Sequence, residues 1–494
     1  MKFPKAHTVL LLITAVVALL TWFVPAGQFD RLAYDHEAEL FKVSGSQSVD
    51  LAATQQTLDS LGVKIPLASF EDGSLWKPVG IPGTYHRTAA KPQGVLAFLQ
   101  APLQGLTQSI DIILFVLILG GAIGVVHATG AFDAGVVVLA RMLKGKEYWL
   151  IVLITFLMAL GGTTFGLAEE TIAFYPILVP VFLAAGYDAM VAVASIYLGS
   201  SIGTLASTVN PFSVIIGSEA AGINWTLGLD GRIVVFLVGL SICVIYIVRY
   251  AKRVKQQPTY SLVYSQREEI KGLFFKEENA VNSQMNFSQK SVLMIFAICF
   301  AVMIYGVSRL EWWFLEMTTV FFAGSLLIGF VARLKESRFL TAFIEGAQDL
   351  LSVALIIGIA RGVTVLMEEG QIADTLLYYS STAVSGMSKP LFITLLHLIY
   401  MGLSLFVPSS SGMAVLTMPI FAPLADVMGM GRELIVNAYI YGQGLMAFIN
   451  PTGLVLASLT MVNVGFNKWL KFVIPLVLIL YCTLVIALIL GVYL

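Results

Sequence analysis

Apolar runs alternate with short polar breaks along almost the whole chain, and the run lengths divide it into spans, hairpins and loops. Residues 8–24 are long enough to cross a hydrocarbon core of about 30 Å, which takes roughly 20 helical residues. Lys2 and Lys5 precede this run as in a secretory signal, but Trp22-Phe23-Val24-Pro25 lacks the small residues of a cleavage site. A retained first span is therefore predicted within residues 1–26. Residues 27–92 are polar with no sustained helical period and predict an extramembrane loop or small cap. An interfacial helix is expected at 94–107, a span at 109–127 and a short segment at 133–143. Between 148 and 188 two apolar stretches of about 15 residues each meet at a Gly/Thr/Glu cluster. Arms so short predict a re-entrant hairpin whose tip ends inside the membrane and lines a polar cavity. A span at 189–222, interrupted at 205–211, and another at 231–248 follow.

Residues 250–289, with Lys276, Glu277 and Glu278, read as a linker. Spans are predicted at 290–307 and 313–332, with Trp312 and Trp313 as an interface anchor. The first pattern then restarts: an interfacial helix 338–349, a span 350–367, a short segment 371–383, a hairpin 390–427, an interrupted span 433–463 and a last span 469–493. Gly105 pairs with Gly346, Gly130-Ala131-Phe132-Asp133 with Gly370-Gln371-Ile372-Ala373-Asp374, Pro176 and Pro180 with Pro419 and Pro423, and Asn210-Pro211 with Asn450-Pro451. The fold class expected is an all-α polytopic membrane protein of two repeats, with about nine full spans and two hairpins. Its parts are a first span (1–26), an extracytoplasmic loop (27–92), repeat 1 (93–249), a cytoplasmic linker (250–289), connecting spans (290–337) and repeat 2 (338–494).

Charge placement orients this scheme. Lys2 and Lys5, Arg141/Lys144/Lys146, Arg249 to Lys255, Arg333 to Arg338, and Lys468 with Lys471 all fall on one side if nine spans and two hairpins are correct. That side is cytoplasmic, the N-terminus is in, the C-terminus is out, and the repeats are inverted. Composition agrees with membrane residence: 58% of the 494 residues are hydrophobic and 12% charged. A net charge of -1 gives no general attraction for nucleic acid. Cys243, Cys299 and Cys482 sit in apolar runs without metal or redox spacing. No HExxH, GxSxG or P-loop occurs, so an enzyme is not expected, and energy must come from an ion gradient or exchange.

Candidate chemistry gathers at the interruptions. Asn is a good N-cap and Pro suits the first helical position, so Asn210-Pro211 and Asn450-Pro451 each restart a half-helix at the midplane. Free N–H groups there suit a carboxylate, and the carbonyls of the preceding half suit a cation; the alternative is a proline kink with no ligand. Glu169 and Glu170 lie at membrane depth, where an ionised group costs about 2.5–3.5 kcal/mol on insertion scales. They suit a cationic substrate group, Na+ or a proton, or they cap the second hairpin arm. Ser409, Ser410 and Ser411 mark the opposite tip, as ligands or as caps. Arg361 either pairs structurally or binds a carboxylate, and His397 is a packing histidine or a proton relay. Gly199, Ser200, Ser201, Gly203 and Thr204 suit close helix approach or a pocket wall.

With Ala168-Glu169-Glu170-Thr171 and Asn210-Pro211-Phe212 in one unit, and Ser409-Ser410-Ser411-Gly412 and Asn450-Pro451-Thr452 in the other, the chain resembles the YfcC branch of the anaerobic dicarboxylate carrier family, in the ion transporter superfamily. The likeness covers nearly everything outside residues 27–92. It implies a bacterial inner-membrane homodimer with a scaffold and a moving transport domain, working as an elevator. Relatives are assigned dicarboxylates or basic amino acids by arginine/ornithine exchange. Related divalent-anion symporters carry Ser-Asn-Thr at both tips, and Ala-Glu-Glu in this first tip points to the basic amino-acid branch. The expected substrate contacts are Glu169, Glu170, Thr171, Asn210, Pro211, Ser409, Ser410, Ser411, Asn450 and Thr452. Na+ is expected near Thr164, Glu169, Thr208, Ser410 and Asn450, with Arg361 as a further contact and Na+ or H+ as the coupling ion. The leading expectation is a secondary transporter for basic amino acids. The alternative is a Na+- or H+-coupled carboxylate transporter, and a membrane receptor or channel is the rival from another class.

Overall fold

Helix length and composition alone set where most of the chain can go. Among the described residues eight helices are long and apolar enough to cross a membrane: Ile110–Ala128, Tyr148–Phe165, Leu229–Gln256, Phe287–Gly306, Phe314–Val331, Glu336–Glu369, Ser410–Met428 and Phe466–Tyr493. Shorter apolar helices are His7–Phe23, Ala189–Leu205 and Lys389–Ser404. The protein is an all-α polytopic membrane protein. The computed structural model describes residues 6–45, 48–71, 75, 77–132, 134–135, 138, 146–274, 285–310, 312–384 and 386–493. Lys2, Lys5, Asp133, Arg141, Lys144, Lys276, Glu277, Glu278 and most of the segment 133–143 lie outside the described residues.

Six of the eight long helices fall on predicted spans. The other two, Tyr148–Phe165 and Ser410–Met428, are hairpin arms of 18 and 19 residues, longer than the expected 15 or so. Local chemistry, rather than shortness, bounds them at the tips. Gly166 takes a left-handed conformation (φ 77°) that stops the first arm, where a side chain would be strained. Ser409 caps the second, accepting from Gly412 N at 3.2 Å.

The expected interfacial helix 338–349 and span 350–367 are one continuous helix, Glu336–Glu369, of 34 residues or about 51 Å. Nothing in that stretch can stop it, since it has no proline and its glycines stay helical. The equivalent stretch of the first unit does break, at Ser109, between Val95–Gln108 and Ile110–Ala128. These two pieces run antiparallel to the long helix along a glycine seam. A Cβ on Gly120 would lie 2.5 Å from the Gly346 carbonyl, and one on Gly105 would lie 2.2 Å from the Gly358 carbonyl. Only glycine permits such an approach, and close backbone packing is what holds helices together where lipid removes the hydrophobic drive.

Residues 27–92 fold as a β-rich cap. Its antiparallel sheet runs Val49–Ala52, Leu40–Ser44, Arg31–Asp35, Val79–Gly80, and a second ribbon pairs Gly27–Gln28 with His86–Arg87. Phe41 and Phe70 meet edge to face at 5.2 Å in its buried core. Strands of two to five residues are too short to show a period, which is why the segment reads as loop. The linker likewise contains a helix, Arg267–Phe274, and Arg249 to Lys255 belong to Leu229–Gln256 rather than following it.

Candidate functional site

Each interrupted helix is tied to the first arm of its own hairpin by its asparagine. In the first unit Ala189–Leu205 ends, residues 206–210 run out of helix, and Pro211 starts a wide turn in which Ile215 N donates to Asn210 O at 3.2 Å. Asn210 Oδ1 caps that turn by accepting from Phe212 N at 2.9 Å, and its Nδ2 donates to Gly162 O at 3.4 Å. In the second unit Asn450 Oδ1 accepts from Thr452 N at 3.0 Å, and Nδ2 donates to Ser404 O at 2.7 Å. Both asparagines are 3% exposed. One amide therefore satisfies a free N–H of the restarting chain and a free C=O of the ending arm, both costly if left unpaired. The restarts differ. Asn210-Pro211 leads straight into helical turns, whereas Asn450-Pro451 opens a turn and the helix begins only at Val455–Met461. The expectation that both pairs start a half-helix directly is thus corrected for the second: Thr452 is drawn back, its Oγ1 donating to Leu405 O at 3.0 Å.

The exposed backbone is otherwise well occupied. Thr163 O accepts from Thr208 N and Val209 N (3.1 and 3.2 Å), and Thr163 Oγ1 donates to Ala206 O at 2.8 Å. Gln443 Nε2 donates to Pro408 O at 3.1 Å, and Tyr439 Oη to Ser410 O at 2.8 Å. The two broken helices meet at their ends. A Cβ on Gly444 would lie 2.4 Å from Leu205 Cα, and Tyr197 Oη donates to Ala447 O at 2.8 Å. Small residues here serve packing: a Cβ on Gly203 would lie 2.2 Å from Ala159 O, and one on Gly162 would lie 2.4 Å from Ser200 O.

The acidic tip separates its two carboxylates. Glu170 accepts from Ala168 N at 3.0 Å in the first turn of the segment Glu169–Phe174, so it does cap that arm. Thr171 Oγ1 donates to Ala168 O at 2.6 Å. Glu169 is half-buried and makes no ion pair or side-chain hydrogen bond with another described residue. Pro211 is exposed. Of the expected Na+ contacts, Thr164 Oγ1 donates back to Leu160 O at 2.6 Å and Thr208 Oγ1 to Thr163 O at 3.2 Å. No hydrogen bond among the described residues joins Thr164, Glu169 and Thr208 to Ser410 and Asn450. Three or more His, Cys, Asp or Glu side chains do not cluster as for a metal among the described residues.

The second tip is covered by the cap. Lys77 Nζ donates to Ser411 Oγ at 2.7 Å, and Arg31 ion-pairs with Asp374 at 2.7 Å. These contacts border a cavity of about 370 Å³, which Arg361, Glu368, Thr364 and Ser409 also line. Lys77 belongs to the cap rather than to a span. Its burial and the nearby Arg361 charge hold its ammonium below the usual lysine range, while Glu368 pulls the other way. Arg361 Nε donates to Gln108 Oε1 at 3.1 Å, so it has a structural partner and a cavity face. His397 is buried, stacked on Tyr481, with Nδ1 3.4 Å from Ala438 O, a packing position. Sequence reasoning missed Lys77, Arg31 and Asp374. Their partners are hundreds of residues away, and the only signal was Asp374 recurring at the position matched to Asp133.

Comparison with known proteins agrees with a carrier. The profile of the family described as C4-dicarboxylate anaerobic carrier, DcuC, matches residues 3–493. The chain is 43% identical over 480 residues to an uncharacterized protein of Haemophilus influenzae, covering 96% of this chain and 94% of that one. It is 31% identical over 493 residues to an Escherichia coli protein named "Putative basic amino acid antiporter YfcC", covering 95% and 92%. Among solved structures it is similar to the YdaH transporter of Alcanivorax borkumensis (15% identity, TM-score 0.40, 99% and 98% covered). It is also similar to MtrF of Neisseria gonorrhoeae, described within a class of antimetabolite efflux pumps (14%, 0.39, 99% and 96%).

Proposed function

The chain belongs to the C4-dicarboxylate anaerobic carrier family, and from that premise we propose that this membrane transporter, which is not an enzyme, is a secondary carrier of basic amino acids, working by exchange or coupled to Na+ or H+. The observation that carries the substrate class is Glu169, an intramembrane carboxylate without a cationic partner among the described residues. A bare carboxylate at that depth is costly unless it meets a cavity, a proton or a cationic ligand, and the guanidinium or ammonium of a basic amino acid is such a ligand. The name of the Escherichia coli relative points the same way. Glu170 positions the tip, and the hydroxyls of Ser409 to Ser411 receive the carboxylate end.

Inverted repeats and elevator-type exposure in an inner-membrane homodimer, N-terminus in and C-terminus out, belong to the same proposal. The antiparallel glycine seam supports the inversion. Gly105 against Arg361 and Gly120 against Gly346 are the same contact with the halves exchanged, as equivalent helices running in opposite directions require. A second reading, coupled dicarboxylate transport, is favoured by Lys77 and Arg361 beside the second tip. Counterflow in proteoliposomes decides between them. Exchange of labelled arginine for ornithine is expected, with Glu169→Gln sharply reducing it; succinate exchange without arginine exchange would transfer the assignment to the second reading.

A further inference from the structure

The cavity between the cap and the second hairpin tip is a built polar site. Three separate parts of the chain contribute to it: the cap through Arg31 and Lys77, the long helix Glu336–Glu369 through Arg361 and Thr364, and the hairpin through Ser409. Asp374 holds Arg31 by taking one of its nitrogens on both carboxylate oxygens, at 2.7 and 2.8 Å. That pair neutralises itself. Lys77 and Arg361 also face the space, with Glu368 at its exposed rim. Thr364 also lines the cavity, but its hydroxyl is closed off from the space and has no hydrogen-bond partner among the described residues. Two gathered cations beside the hydroxyl-bearing tip are an arrangement that an anion completes.

We infer that this cavity is a carboxylate-binding site shared by the cap and the second hairpin tip, in which Lys77 and Arg361 hold the carboxylate and Ser409 supplies a hydroxyl. The site deepens the reading above and rests on it only for the nature of the cargo. It takes the carboxylate end of an amino acid or one end of a dicarboxylate. Lys77 now donates to Ser411, so an incoming carboxylate competes with that hydroxyl for the ammonium. Charge-assisted contacts of this kind change affinity by about tenfold or more each.

The test uses the full chain in nanodiscs and three probes: L-arginine, succinate, and agmatine, which keeps the guanidinium of arginine and lacks its carboxylate. Lys77→Gln and Arg361→Gln are each expected to weaken whichever carboxylate probe the wild type binds by about tenfold or more while sparing agmatine. Lys77→Arg is expected to stay near wild type. Because a variant can misfold, the wild-type chain supplies a second readout: saturating arginine or succinate should slow acetylation of Lys77, followed by mass spectrometry. Unchanged carboxylate affinity in both variants, equal weakening of agmatine, unprotected Lys77, or a wild type that binds neither carboxylate overturns the inference. The two readings fail separately. Succinate binding that needs Lys77, without arginine transport, removes the basic amino-acid reading alone; Glu169-dependent arginine transport indifferent to Lys77 and Arg361 removes this inference alone.

Discussion

The two hairpin tips share a frame and differ in what fills it. In each, an asparagine amide joins the restarting chain to the end of the first arm, at Gly162 in one unit and Ser404 in the other. At the first tip an acidic pair follows, one carboxylate engaged in capping and the other without a protein cation among the described residues. At the second tip hydroxyls follow, and a lysine from outside the repeats reaches down to them. The frame is a backbone problem that any broken helix must solve; the occupants are free to differ, and cargo chemistry can be written there.

The sharpest way to break this comparison is to remove charge from one side of the acidic pair. Glu169→Gln is expected to reduce arginine exchange by about a hundredfold, from loss of a charge-assisted contact in a low-dielectric site. Glu170→Gln, which keeps a hydrogen-bond acceptor for Ala168 N, should cost less than tenfold, that is, under about 1.4 kcal/mol. Equal losses in both, read as initial rates in proteoliposomes, would erase the distinction between ligand and cap. Next in size, Asn210→Ala and Asn450→Ala should each destabilise the protein by about 2 kcal/mol, combining a lost cap with an orphaned carbonyl. Chemical unfolding in detergent measures both, and a large inequality would show that the two frames are not equivalent.

Smaller is the effect of pH on the second tip. Carboxylate binding needs protonated Lys77, and its burial together with the nearby Arg361 charge, opposed by Glu368, leaves the proton more weakly held than in free lysine. Succinate affinity should therefore be full at neutral pH and fall as pH rises, beginning below the ordinary lysine value of about 10.4. The Lys77→Arg variant should hold it flat over the same range, as titration calorimetry can follow. Smallest, Ser69→Ala, which removes the cap's hydroxyl contact to Glu219, should cost about 1 kcal/mol and speed hydrogen exchange in the cap without altering arginine exchange.

What could be read from sequence follows the range of each interaction. Asn-Pro inside an apolar run is local chemistry, so both interruptions and the six long apolar helices outside the hairpins were legible. Helix boundaries were legible where Gly166 stops an arm or Ser409 starts one, and illegible where nothing marks one, which is why 338–349 and 350–367 were divided in a helix that runs through. The second restart was misplaced because Thr452 is held by Leu405, 47 residues away. Half of the candidate site was hidden for the same reason on a larger scale. Arg31 finds Asp374 across 343 residues and Lys77 finds Ser411 across 334, and no periodicity encodes such pairs.

The glycine seam has one more consequence. Its contacts are reciprocal: the patch around Gly105 meets the patch around Arg361, while Gly346 meets Gly120, so under the proposed pairing of the two units each would carry both faces of a single self-complementary surface. That is the geometry of an isologous dimer interface, folded into one polypeptide. Two separate half-length chains joined by this seam would need no new contact to be invented, only a linker between them.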